Sequence, residues 1–292
     1  MISGVEDSIS IEEVNNLDAF IKRGGNIFIG QNRIKTDLQT QSAEEIQSNI
    51  FGFLERYGLG IRSNLVLDSQ SGQISVLQNR GIFRMQSAVD YPFFPLVRNF
   101  ASDQVVVNSL EQVRILFPSE IWEHKDTLEL NKSSIFSSLS FTPLFFTSNK
   151  SGTMEQFFSL NPVQNPAFNT LNESKKILAA LSEIKHSNDD SISQIILVGD
   201  SRFILDDAGG GIAENTIFVI NSVEYLMGDS GLISLRSREI TTRPLNQDIT
   251  DRSRKNWKWA NRLLPAGLIL VLGLFRLRKD KKRAKMLEQM YG

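Results

Sequence analysis

Cysteine is absent from all 292 residues of the chain. There is therefore no disulfide framework, no thiolate metal site, no iron–sulfur cluster and no cysteine nucleophile. Histidine is nearly as scarce, with only His124 and His186, too few for a histidine-rich metal centre. An export signal is not expected from the opening residues either, because Met1-Ile2-Ser3-Gly4-Val5-Glu6-Asp7 has neither a basic region nor an apolar one. What is present is ordinary. Hydrophobic content of 41% and charged content of 22% match a folded protein rather than a disordered chain, a collagen-like repeat or a multi-spanning membrane protein. The composition leans away from an enzyme, and no cofactor or metal is expected.

Charge is balanced in sum, Lys+Arg 32 against Asp+Glu 33 for a net −1, but not in place. The segment Arg252 to Lys285 holds 12 basic residues against one acid, Asp280, while residues 1–251 hold 20 basic and 31 acidic. An acidic body repels phosphates, so the basic block is read as topology and lipid contact, and no nucleic acid is expected as a partner.

Inside that block lies Leu263-Leu264-Pro265-Ala266-Gly267-Leu268-Ile269-Leu270-Val271-Leu272-Gly273-Leu274-Phe275. As a helix this uncharged run is about 20 Å long, short of a hydrocarbon layer of about 30 Å. Extended over residues 257–277 it reaches across, with Lys258, Arg262 and Arg276 snorkelling and Trp257 and Trp259 at headgroup depth. Trp257, Trp259, Leu263, Leu264, Pro265 and Phe275 are thus the expected membrane anchor, with Pro265 in the first turn, where it is tolerated. The denser cations follow the run, which predicts a cytoplasmic C-terminus and an extracytoplasmic body. Such a body without an export signal implies either insertion directed by the C-terminal helix alone or, the favoured expectation, an upstream part that carried a first anchor.

In the body, Ser10-Ile11-Glu12-Glu13 is a capping box, and Val14, Leu17, Phe20 and Ile21 recur at helical spacing up to Gly24-Gly25. Ile27 to Gly30 is a short buried strand. Ser42-Ala43-Glu44-Glu45 opens a second capped helix through Ile46, Ile50, Phe53, Leu54 and Tyr57, ended by Gly58, and Leu65 to Asp68 is a strand. Helices alternating with apolar strands predict an α/β fold with a parallel sheet. Residues 73–148 read as a β-rich elaboration, with strands at Ile74–Leu77, Val105–Val107, Val113–Phe117 and Leu144–Thr147. Asn149 to Asn172 reads as a loop, and Ile177 to Leu181 as strand or helix. Gln194 to Val198 is a buried strand, followed by a helix near Asn215 that Gly228 closes. The domain organisation is then residues 1–235 as the body, 236–256 as a polar linker, 257–277 as the membrane helix and 278–292 as a basic cytoplasmic tail.

Gly199-Asp200-Ser201-Arg202 stands at the carboxyl end of a strand, where α/β folds bind ligands, and Asp200, Ser201 and Arg202 are the candidate ligand or partner-binding residues. The motif resembles the opening of GDS-type esterases, yet no histidine follows Ser201. A nucleophilic serine needs a base, and His124 or His186 would have to fold back to supply it. The alternative is that Asp200 braces the turn, and no catalytic residue is assigned. Gly209-Gly210-Gly211 lacks the partners of a phosphate cradle. Asp206 and Asp207, with Asp200 and Glu214, match no calcium loop and read as solvated turn acids. His124 suggests nothing specific, and His186 reads as a surface loop residue.

Several features occur in one order: Ser10 to Glu13, Leu17-Asp18-Ala19-Phe20-Ile21, Gly24 to Ile29, Tyr57-Gly58, Leu65 to Asp68, Val198 to Phe203, Asn221, Tyr225-Leu226, Leu232-Ile233-Ser234-Leu235-Arg236 and the Leu263-Leu264-Pro265 helix with its basic tail. In this order they resemble the auxiliary, substrate-binding component of ABC transporters linked to bacterial gliding motility. The resemblance implies an inner-membrane anchor, a three-layer body like class I glutamine amidotransferases, and permease and ATPase subunits as partners beside membrane lipid. It also implies that the chain is the C-terminal portion of a longer protein or one half of a split gene, with an N-terminal partner chain. Amidotransferases use a cysteine nucleophile, so that activity is excluded. Two alternatives from other classes are a membrane-tethered hydrolase using Ser201 or Asp200 and a solitary α/β binding module.

Overall fold

The computed structural model describes residues 1–80, 83–108, 110–125, 136–173, 175–187, 191–205, 212–229, 233 and 251–291. The chain divides into two compact units, Met1–Thr241 and Thr242–Gly292.

In chain order the strands of the first unit are β1 (Ile2–Ser3), β2 (Ile27–Gly30), β3 (Ile34–Asp37), β4 (Ser42–Glu45), β5 (Leu59–Ile61), β6 (Leu65–Asp68), β7 (Ser71–Arg80) and β8 (Phe83–Val97). After them come β9 (Asn99–Phe100), β10 (Val113–Arg114), β11 (Ile121–Glu123), β12 (Phe136–Phe146), β13 (Ser151–Met154), β14 (Ile177–His186) and β15 (Ile192–Val198). The helices described along their length are α1 (Ile11–Lys22), α2 (Ile50–Arg56) and α3 (Ala213–Leu226). The capping box forms as the sequence predicts: Ser10 Oγ accepts from the Glu13 amide at 3.2 Å, and the Glu13 carboxylate accepts from the Ser10 amide at 2.8 Å. Gly24, Gly58 and Gly228, just past the three helices, all have positive φ, as a left-handed helix stop requires.

The main sheet runs β1-β2-β15-β14-β11-β5, with β12 beside β14 and β9 beside β12. Among the described residues only β1, β2 and β15 are parallel, and every other pair of this sheet is antiparallel. The expected parallel sheet is therefore corrected to a mixed one. The cause lies in the stretch that pattern left open: Ile177 to Leu181 belongs to a ten-residue strand that turns directly back into β15, and so short a connection permits only antiparallel pairing. Its alanines pack to both sides. Ala180, Ile195 and Leu197 join one core cluster with Ile21, Phe53 and Leu54, while Ala179, Ile196 and Val198 join another with Phe145, Phe203 and Phe218. Alternate residues of β15 thus face α1 and α2 on one side and α3 on the other.

A third cluster lies under the smaller sheets, β6–β13 and β7–β8–β10. Tyr91 is at its centre, with Phe93, Phe94, Phe117 and Phe168 rings 5.0–6.1 Å away and its hydroxyl donating to the Leu160 carbonyl at 2.8 Å.

Other expectations shift. Ser42 to Glu45 is not a helix start but strand β4, paired with β3, and α2 begins only at Ile50. The local capping pattern loses to tertiary contacts: Glu45 holds Arg33 at 3.1 Å, and Ala43 packs on the third cluster. Val105–Val107 is a 3-10 helix rather than a strand, and only Val113–Arg114 of Val113–Phe117 is strand. Asn149 to Asn172 is more than a loop, since it contains β13 and a 3-10 turn at Pro166–Asn169. Within the stretch read as an elaboration, β11 and β12 belong to the main sheet. Gly209 to Gly211, Asp206, Asp207, Leu232, Ser234, Leu235 and residues 236–250 of the linker lie outside the described residues.

Among the described residues the second unit is one helix, α4 (Asp251–Tyr291), of 41 residues and about 61 Å. Its stretch Lys255–Arg283 is long and apolar enough to cross a membrane. Because the helix begins at Asp251, Pro265 lies in its interior rather than in its first turn, where the proline removes the hydrogen bond to the Asn261 carbonyl. Ile269 is 71% exposed and Leu270 68%, the opposite of a buried core helix.

Candidate functional site

Three parallel strands end side by side. Ser3 pairs with Gly30, and Gly30 with Val198, so the residues that follow them open together at one edge of the sheet. A cleft of about 440 Å³ lies there, lined by residues of these three strand ends and of β3. From the first strand end come Ser3, Gly4 and Glu6; from the second, Asn32, with Lys35 and Thr36 of β3; from the third, Ser201, Arg202 and Leu205.

The third strand end is held rigidly. A side chain on Gly199 would put its Cβ 2.3 Å from the Ser119 carbonyl oxygen, so only glycine lets the two backbones meet. Asp200, 0% exposed, accepts from the Leu116 amide at 2.8 Å and from the Arg202 amide at 2.7 Å. Both of its oxygens are thus engaged in tying the turn to the 116–119 segment. Burial pushes its carboxyl up to about 7, against the opposing pull of the two amides and of Arg202. Asp68, at the end of β6, is built alike: it is buried, accepts from the Gln70 amide at 2.9 Å and from the Ser148 amide and hydroxyl, and is raised by burial. Ser3 donates its hydroxyl to the Ser201 carbonyl and joins the first strand end to the third. Gln31 binds the Val5 backbone in both directions, at 2.8 and 3.0 Å, and joins the second to the first.

Of the residues singled out in the sequence, Ser201 and Arg202 line the cleft and Asp200 lies beneath them. Neither histidine hydrogen-bonds Ser201 among the described residues. His186 is 3% exposed rather than a surface loop residue; its Nε2 lies 2.8 Å from Ser193 Oγ, and its ring meets Phe136. His124 packs on Trp122. Trp257, Trp259, Leu263, Leu264, Pro265 and Phe275 all fall on α4. The cleft residues the sequence did not single out are Ser3, Glu6, Asn32, Lys35 and Thr36. Glu6 and Lys35 pair at 2.6 Å, which raises the Lys35 ammonium above its ordinary value. A polar Gln31-Asn32 pair directly after a wholly buried strand was the one signal that could have found the second strand end.

The family described as an ABC-type uncharacterized transport system matches residues 1–222. The chain belongs to this family. Its matched range takes in every residue named for the cleft, and α4 lies beyond it. An uncharacterized protein of Borreliella burgdorferi (strain ATCC 35210) is 26% identical over 295 residues, covering 94% of this chain and 54% of that protein. The chain therefore spans about half the length of the curated relative it matches. No solved structure matches the chain. The family's description names a transport system and no reaction.

Proposed function

We propose that the chain is a non-enzymatic auxiliary subunit of an ABC transport complex, anchored by a single span in a bacterial inner membrane. In this proposal residues 257–277 cross the bilayer, residues 278–292 lie in the cytoplasm and the acidic body lies outside it, where it binds a partner or solute. The observation that carries the proposal is the joining of a transport-system body to an apolar helix long enough to cross a membrane and flanked by cations. Exposed apolar surface of this extent is costly in water and stable in lipid. The denser cations after Phe275 support the orientation. The partners are then a permease and an ATPase, with lipid around α4, an N-terminal chain alongside, and the amidotransferase-like layering and the gliding link that the resemblance implies.

The test is a pull-down of the C-terminally tagged chain from gently solubilised native membranes, with every co-purifying protein identified. Recovery of a multi-spanning permease and its ATPase supports the proposal. Recovery of the chain alone, in repeated preparations that keep it folded, removes it.

A further inference from the structure

Cations stand at both ends of the apolar run of α4, but the helix distributes them differently. Before the run, Lys255, Lys258 and Arg262 fall within an arc of about 60°, at roughly 100° of rotation per residue. After it, Arg276, Arg278, Lys279, Lys281, Lys282 and Arg283 spread over about 220° of the circumference. Asp280, the one acid among them, lies in the remaining sector. Because α4 is continuous from Asp251 to Tyr291, these six side chains radiate from a helix instead of trailing on an irregular tail. All six are exposed, and none forms an ion pair among the described residues.

Their depth is set by the span. With residues 257–277 across the hydrocarbon, Arg278 to Arg283 occupy the next ~9 Å of helix. The headgroup layer adds about 5–8 Å on each side of the hydrocarbon, so most of these cations lie among phosphates, and Arg276 reaches the same level by snorkelling. Six like charges this close repel one another, and phosphate oxygens relieve the repulsion through charge-assisted hydrogen bonds. A zwitterionic headgroup brings a cation of its own and relieves less of it than a headgroup with net negative charge. The spread also selects the kind of partner. A protein groove meets one side of a helix and suits an arc such as that of Lys255, Lys258 and Arg262, whereas lipid surrounds a helix and suits cations on most sides.

We propose that the C-terminal end of the span is a binding site for anionic phospholipid, in which these six cations hold the phosphodiesters of a shell of headgroups with net negative charge, as in phosphatidylglycerol. The proposal rests on the single-span reading above and deepens it by naming the lipid. The preference belongs to one leaflet, because the arc before the run leaves most of the circumference without a cation to hold a headgroup.

The test is electron spin resonance on the full chain reconstituted in phosphatidylcholine vesicles, with a trace of chain-labelled phosphatidylglycerol or chain-labelled phosphatidylcholine as probe. The protein is expected to slow the phosphatidylglycerol label with about threefold higher relative affinity, a preference that shrinks in about 1 M salt. Lys279→Gln combined with Lys281→Gln, Lys282→Gln and Arg283→Gln is expected to bring the ratio below about 1.5, while Lys255→Gln with Lys258→Gln leaves it above about twofold. All substituted side chains are exposed, and unchanged melts of the body by circular dichroism check that each variant folds. Equal slowing of the two labels, a ratio indifferent to the C-terminal substitutions, or the same loss in both variants overturns the proposal. A fourfold variant that keeps the ratio but loses the ATPase in the pull-down also overturns it, by giving the cations to a protein partner. The two failures are distinguishable. A slowed component without preference leaves the span standing and removes the lipid site, while no slowed component at all, with release of the chain by alkaline carbonate, removes the span itself.

Discussion

Ile195-Ile196-Leu197-Val198 in β15 and Ile269-Leu270-Val271-Leu272 in α4 are runs of nearly equal apolarity. The first is wholly buried, whereas Ile269 and Leu270 are about 70% exposed. The difference comes from period. A strand sends alternate side chains to two faces, and both faces of β15 are covered by core clusters. A helix sends a continuous apolar run to every side, so no single protein surface can cover it. Apolarity states only that a segment avoids water; its geometry states whether protein or lipid replaces the water.

The sharpest way to break the comparison is to place the same charge in both runs. Leu197→Lys puts an ammonium between two closed core layers at a cost above about 3 kcal/mol, and the expected outcome is loss of the folded body in circular dichroism. Leu270→Lys with Leu272→Lys costs about 5–7 kcal/mol of insertion energy but none of the body's stability. The expected outcome there is a chain released by alkaline carbonate, with an unchanged melting temperature for the body. If the double change in α4 lowered that melting temperature, the helix would be core and not anchor.

Next in size is Gly199→Ala. Its new Cβ meets the Ser119 carbonyl, backbone on backbone with no side chain free to yield, and a loss of about 2–3 kcal/mol in urea melts is expected. The same substitution at Gly273, which has nothing within 4 Å in α4, is expected to leave both the fold and the membrane association intact.

Asp200 gives a pH-dependent effect. Its folded pKa of about 7 lies above the ordinary aspartate value of 3.8, so between these values the folded state holds more protons than the unfolded one. The Asp200 contribution is therefore fully present below about pH 4 and is lost as the pH rises through about 7. Asp200→Asn is expected to remove this slope, leaving the difference between the two stability curves widest at low pH, and to cost about 1–3 kcal/mol there by setting an amide N–H2 against a backbone amide. A pair of parallel curves would show that Asp200 titrates normally. Smallest of all is Ser201→Ala, which is expected to change stability by less than about 0.5 kcal/mol and to leave complex recovery unchanged. Loss of a measured esterase activity in that variant would instead make Ser201 a nucleophile.

Helix ends were legible in the sequence because their chemistry is local: Ser10 and Glu13 satisfy each other within one turn, and Gly24, Gly58 and Gly228 occupy backbone positions that disfavour a side chain. Strands β2 and β15 were legible because both are buried on two faces. Strand direction was not. It depends on how quickly β14 returns as β15, a matter of connection length rather than composition. Ser42 to Glu45 misled because a capping pattern is satisfied only where a helix follows, and there Arg33 and the third core cluster offered more. The turn at Asp200 was visible as a strand end, but the rest of the cleft was not, because Glu6, Asn32 and Arg202 come together only through the pairing of strands nearly two hundred residues apart.

The parallel part of the sheet has one further consequence. Since β1, β2 and β15 point the same way, their three exits gather at one rim, while the antiparallel strands beyond them send their turns to both rims. The residues directly after the three strands are braced by Asp200, Ser3 and Gln31, so the rim is held as firmly as the ladder beneath it. A rim on which three strand exits are braced against one another is the natural place to graft a new specificity.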